Sequence, residues 1–66
     1  MFKAYGVIET FTTTRPSVWA ISSISYTVGT TTVIEAEHGP FAVGAFVEVK
    51  FVVSGGQRLA VKIETH

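Results

Sequence analysis

Apolar and polar residues alternate with a period of two along almost the whole chain, and Val, Ile, Thr, Phe and Tyr fill the pattern while strong helix formers are sparse. The pattern predicts strands throughout. The first runs from about Ala4 to Phe11, with Gly6 and Ile8 on one face and Val7 and Glu9 on the other. It gives way to Thr12-Thr13-Thr14-Arg15-Pro16-Ser17, where Pro16 lacks a ladder donor and biases Arg15 towards an extended backbone, so this segment reads as a loop. Val18 to Ile21 forms a short second strand with Trp19 and Ile21 on one side. After Ser22-Ser23 the run Ile24, Tyr26, Val28 completes a hairpin. Gly29 interrupts the alternation, Thr31 to Ala36 resumes it, and Glu37-His38-Gly39-Pro40 is dense turn chemistry. Phe41 to Ala45 is too short for a full helix and is predicted as a single helical or 3₁₀ turn closing one end of the domain.

The most regular strand follows, from Phe46 to Val53. Val47, Val49, Phe51 and Val53 form a wholly apolar face against Phe46, Glu48, Lys50 and Val52. Ser54-Gly55-Gly56 supplies the glycines that hairpin turns with positive φ require. The last strand, Gln57 to Thr65, places Leu59, Val61 and Ile63 inward and Arg58, Ala60, Lys62 and Glu64 outward. A one-residue slip would turn its apolar set to water, so the register is specified. A single open sheet this small cannot bury its apolar face, whereas closure buries the face and removes the edges together. The expected fold is therefore all-β: one small antiparallel barrel of five to six strands over residues 1–66, OB-like or, alternatively, SH3-like. Such a unit can equally be a module of a longer protein.

Composition sharpens this picture. A 66-residue domain buries only about 60% of the surface its unfolded chain exposes. The chain has no cysteine, which excludes a disulfide framework and cysteine-ligated metal sites. With 47% apolar and 15% charged residues it is too apolar for a disordered segment, and the surplus is expected to remain as surface for association. The expected partners are further copies in a homo-oligomer or neighbouring domains of the same protein. Five basic residues balance five glutamates, so no net field draws the domain to phosphate and nucleic acid is not the expected partner. No run approaches the roughly 18 to 20 apolar residues of a membrane span. No signal-peptide pattern is present either.

Five segments carry a resemblance: Tyr5-Gly6-Val7-Ile8-Glu9, Trp19-Ala20-Ile21, Thr32-Val33-Ile34, the run Phe41 to Lys50, and Leu59 to Glu64. In this order and spacing the chain resembles the bacterial domain of unknown function 5666 family, small modules of exported and envelope proteins. The most specific piece is Val43-Gly44-Ala45-Phe46-Val47-Glu48-Val49 with the glycine hairpin and strand that follow. Ser54-Gly55-Gly56-Gln57 departs from the Asp-Gly expected at that hairpin, which bears on turn type. The resemblance implies an OB-like barrel and a periplasmic or extracellular setting. It transfers no catalytic or ligand-binding residues.

Catalytic chemistry is poorly supplied. The chain has no Asp, Asn or Cys, leaving only a serine with His38 or His66 and a glutamate for a triad. Glu35-x-Glu37-His38 is the one cluster with metal-ligand types, but few ligands on a turn make a weak site. No phosphate loop is present. The expectation is a non-enzymatic module without cofactor or metal. The aromatics allow a second reading, a ligand-binding domain for single-stranded nucleic acid or oligosaccharide. Trp19, Phe41 and Phe51 read as core, while Tyr5, Tyr26 and Phe46 stay open. The candidate binding residues are Trp19 and Tyr26 with Arg15, Arg58 and Lys62, provided that the two rings are exposed beside the cations.

Overall fold

The computed structural model describes all of residues 1–66. Five strands follow the period-two pattern: β1 Phe2–Thr10, β2 Ser17–Ile21, β3 Ile24–Glu35, β4 Phe46–Ser54 and β5 Gln57–Thr65. They form one closed barrel in the order β1-β2-β3-β5-β4, with β4 pairing back onto β1. The domain is thus the all-β, OB-like barrel of the two expected alternatives. Two features differ from the expected arrangement. Four pairings are antiparallel, but β3 and β5 run parallel. The connection 36–45 carries the chain past β3 to the free side of β1, so β4 is laid there. β5 then turns back into the remaining gap and travels in the same direction as β3.

Gly29 does not divide β3. The strand runs through it for 12 residues, which fixes the count at five strands. The interruption survives as a slip in register: Val28 pairs with Ala60 and Val33 with Lys62, so β3 spends more residues than β5 over the same seam. Thr32 fills the gap in the ladder. Its hydroxyl accepts the part-buried Gly29 N–H (3.0 Å) and donates to the buried Ala60 carbonyl (2.7 Å), with Thr32 itself only 5% exposed. Buried backbone groups without such partners are costly, so one side chain holds the seam together.

The predicted inward set of β5 is also shifted. Lys50 of β4 pairs with Lys62 and Phe51 with Ala60, which leaves Val61 as an extra, bulged residue. The bulge resets the alternation. Ala60, Ile63 and Thr65 point inward, and Val61 is turned out. On β4, Val47, Val49 and Phe51 are buried as the pattern requires, but Val53 is exposed because the β4–β5 hairpin projects beyond the barrel. Its tip turns through Gly55 and Gly56 at φ 58° and 76°, the left-handed pair that a two-residue hairpin loop needs.

The β2–β3 hairpin makes the same turn with serines, Ser22 and Ser23, at φ 47° and 68°. Serine adopts this region at a cost, and contacts to β1 offset it. The Ser22 hydroxyl accepts the Val7 N–H, the Ser22 N–H donates to the Val7 carbonyl, and the Ser23 N–H donates to Glu9 Oε1 at 2.7 Å. The fit requires Gly6 beneath it, because a Cβ there would lie 2.6 Å from Ser22 Oγ.

No helical turn forms over Phe41 to Ala45. The Ala45 N–H instead closes a turn onto the Ala42 carbonyl, and the Gly44 N–H and Ala45 carbonyl bond to Ile8, continuing the β1–β4 ladder. The Phe41 side chain does the closing. It meets Trp19 edge to face at 5.7 Å, and Phe11 also packs edge to face on the indole at 5.3 Å. Tyr26 and Phe51 make a second aromatic contact within the core, with the exposed Phe2 ring stacked on Phe51, and Ile8, Ile21, Val28, Val47, Val49 and Ile63 complete the interior.

Replacing Thr32 by Val keeps the volume but removes both hydrogen bonds at the seam. We expect Thr32→Val to lower the unfolding free energy by about 2 kcal/mol in urea titration and Thr32→Ser to retain most of it. Equal stability of the valine variant would mean that the seam does not depend on this hydroxyl.

Candidate functional site

The residues singled out from sequence do not form one face. Trp19 and Tyr26 are 3% and 1% exposed, so neither offers a ring for stacking at the surface. Burial is also what raises the Tyr26 phenol above its ordinary pKa, with the Arg58 cation acting in the opposite direction. Arg58 itself lies on the projecting hairpin beside a shallow depression formed with Val18, Ser25, Thr27, Gly56 and Gln57. Lys62 is on the outer surface, 2.9 Å from Glu35. Only Arg15 and Trp19 are brought together, at the end of the barrel that Phe11 and Phe41 cover.

That end contains a cleft of about 180 Å³ lined by Phe11, Thr12, Thr13, Arg15, Trp19, Ile34 and Phe41. It exists because the connection 36–45 places no helix across the barrel mouth, leaving single rings to plug it. Arg15 Nη1 donates to the Thr32 carbonyl at 2.7 Å, which anchors the guanidinium at the rim. No carboxylate pairs with it, since Glu35 meets Lys62 and Glu48 lies beside the His66 ring. The Trp19 indole N–H is buried without a partner, a condition that costs about 1–3 kcal/mol. Phe11, Ile34 and Phe41 were not legible as cleft residues because they come from three distant segments that only the barrel brings together.

The second surface is the outer face of β1, β4 and β5. Cross-strand pairing arranges its side chains in rows. Val7 stands opposite Phe46, Tyr5 opposite Glu48 and then Glu64, and Lys3 opposite Lys50 and then Lys62. The parallel pairing continues the middle row to Glu35. The result is a row of carboxylates, of which Glu35 and Glu64 reach solvent while Glu48 is buried, beside a row of lysines about 7 Å away along the strands, with Val7 and Phe46 at one side. Tyr5 (50% exposed) and Phe46 (47%) stack at 6.1 Å, and His66 meets both rings edge on. The Glu48 carboxylate, as hydrogen-bond acceptor and as charge, raises the Tyr5 phenol, helped by partial burial and by Glu64. The outward phase of Tyr5 and Phe46 was present in the sequence alternation, since each flanks an inward residue.

Carboxylate oxygens of Glu35, Glu37 and Glu64 come within 4.8 Å of one another, and Lys62 neutralises the first of them. His38 is not part of this group. Its Nδ1 faces the Thr65 carbonyl at 3.3 Å, and its N–H donates to the Thr65 hydroxyl, which in turn donates to the Gly39 carbonyl. The Glu37-His38-Gly39 turn is thereby pinned to the end of β5. No helix in the structure is long and apolar enough to cross a membrane.

A family model described as a domain of unknown function (DUF5666) matches residues 5–64. No curated protein and no solved structure matches the chain.

The Lys62–Glu35 contact sets a pH dependence. Hydrogen bonding to Glu35 raises the Lys62 pKa above its ordinary 10.5, against a smaller opposing effect of burial and with help from the charges of Glu35, Glu64 and Glu37. A pKa raised on folding means that the stabilisation is complete below the unfolded value and is lost as pH rises through the folded one. Following the Lys62 Cε resonance by NMR should give a midpoint above 10.5 that falls in Glu35→Gln. An unchanged midpoint in that variant would contradict the pairing.

Proposed function

The chain belongs to the DUF5666 family, and from that premise we propose that it is a non-enzymatic barrel module of an exported or envelope protein that works by associating with a second copy of itself. One observation carries the reading: Tyr5, Val7 and Phe46 expose adjacent apolar side chains on the outer face of β1 and β4, where a barrel strand ordinarily carries polar ones.

Charge arrangement selects the second copy as the occupant. A two-fold axis lying between the carboxylate row and the lysine row, parallel to both, brings each row against the opposite row of the partner. Symmetric dimers use such self-complementary patches. The same operation leaves the Val7–Phe46 row at the margin, where it covers apolar surface of the partner. Opposite charges facing each other guide register and association rate more than they add affinity, so the apolar contacts supply most of the binding. The absence of Asp and Cys from the sequence supports the non-enzymatic part of the reading.

Sedimentation velocity over about 10–500 µM should show a monomer–dimer equilibrium that weakens in about 0.5 M salt. Phe46→Glu should abolish the dimer without loss of the fold, because half of that side chain already faces solvent. A monomer throughout the concentration range would refute self-association and leave docking onto a neighbouring domain as the use of this face.

A further inference from the structure

We infer that the cleft between Phe11, Trp19 and Phe41 is a binding site for a small ligand that joins one aromatic ring to a carboxylate. The inference does not depend on self-association and concerns a different part of the molecule.

Size restricts the ligand first. An apolar cavity of about 150 Å³ accommodates one benzene-sized ring, whereas extended ligands occupy clefts of about 300–1,000 Å³. The cleft here is about 180 Å³, enough for a ring with one small substituent. Lining chemistry restricts it further. The half-buried Phe11 and Phe41 rings flank the buried Trp19, which forms the floor, and Ile34 completes an apolar wall. Such a pocket favours a flat apolar body. Thr12 and Thr13 add hydroxyls at the mouth.

Charge sets the substituent. Arg15 is the sole charged residue lining the cleft, and it has no acidic partner anywhere in the structure. Its bond to the Thr32 carbonyl uses one of five guanidinium donors and tethers the group at the rim. The remaining donors match a carboxylate in the forked geometry that arginine favours. A neutral ring would leave them to water, and a cationic one would be repelled.

The chain's single tryptophan stands in the cleft, so binding reports itself. The test titrates the unmodified chain with benzoate, benzyl alcohol, benzylammonium and acetate, reading Trp19 emission and the ring resonances of Phe11 and Phe41. Benzoate should give a saturable response with a Kd on the order of 1 mM, and the other three should bind about tenfold more weakly or not at all. Arg15→Gln should reduce benzoate to the level of benzyl alcohol, and Arg15→Lys should fall between. Because the ligand ranking is measured on the unmodified chain, it stands even if an Arg15 variant folds poorly. Three results would overturn the inference: no saturable response to benzoate up to about 20 mM, equal binding of benzyl alcohol, or benzoate shifts that map to the Tyr5–Phe46 face.

Discussion

A single sheet of five strands has one apolar face to hide and two edges to protect, and in this chain the pairing of β3 with β5 settles both. That pairing is also where the backbone fits least well. It is the only parallel one, and it is where the register slips between Val28 and Val33. Thr32 compensates with one hydroxyl that serves a backbone group on each strand of the seam. Its carbonyl has a further use, since it is the acceptor that anchors Arg15. The residue that makes closure possible therefore also orients the one cation of the end cleft.

Most of the fold was legible in the sequence, for a simple reason. Strand alternation is local, and the inward positions Gly6, Ile8, Val47, Val49 and Phe51 can be read from neighbours alone. The failures sit where a partner strand changes the local rule. Val61 fits an inward phase by alternation, but the strand opposite leaves no matching place for it, and Ala60 is buried instead. Gly29 looks like a break because it lacks a side chain to continue the pattern. It remains in the strand because Thr32 holds its N–H. Phe41 was recognisable as a closing residue, but the helical turn assigned to it gives way to bonds with Ile8 that only the closed barrel supplies.

The functional surfaces were less legible. Of the five candidate binding residues, Arg15 and Trp19 meet, whereas Tyr26 is core, Arg58 sits on the projecting hairpin and Lys62 pairs with Glu35. Sequence identifies residue types suited to binding. It does not say which of them share a face when they come from strands joined across a barrel. The rows of carboxylate and lysine illustrate the point. Each of Lys3, Lys50 and Lys62 is an isolated cation in the sequence, and only the β1–β4 and β4–β5 registers align them.

The pairing of Gly6 with Val47 has a consequence for the order in which the molecule assembles. The β2–β3 and β4–β5 hairpins join residues close in the chain and lose little entropy in forming. β1 must wait for β4, with two strands and a long connection synthesised between them, and contacts so remote slow folding. Until that strand docks, the apolar side of each hairpin is open to water, and so is the backbone of β4 that β1 will cover. The β1–β4 seam joins residues further apart in the chain than any other pairing, so closing it carries the largest loop-closure cost of the barrel.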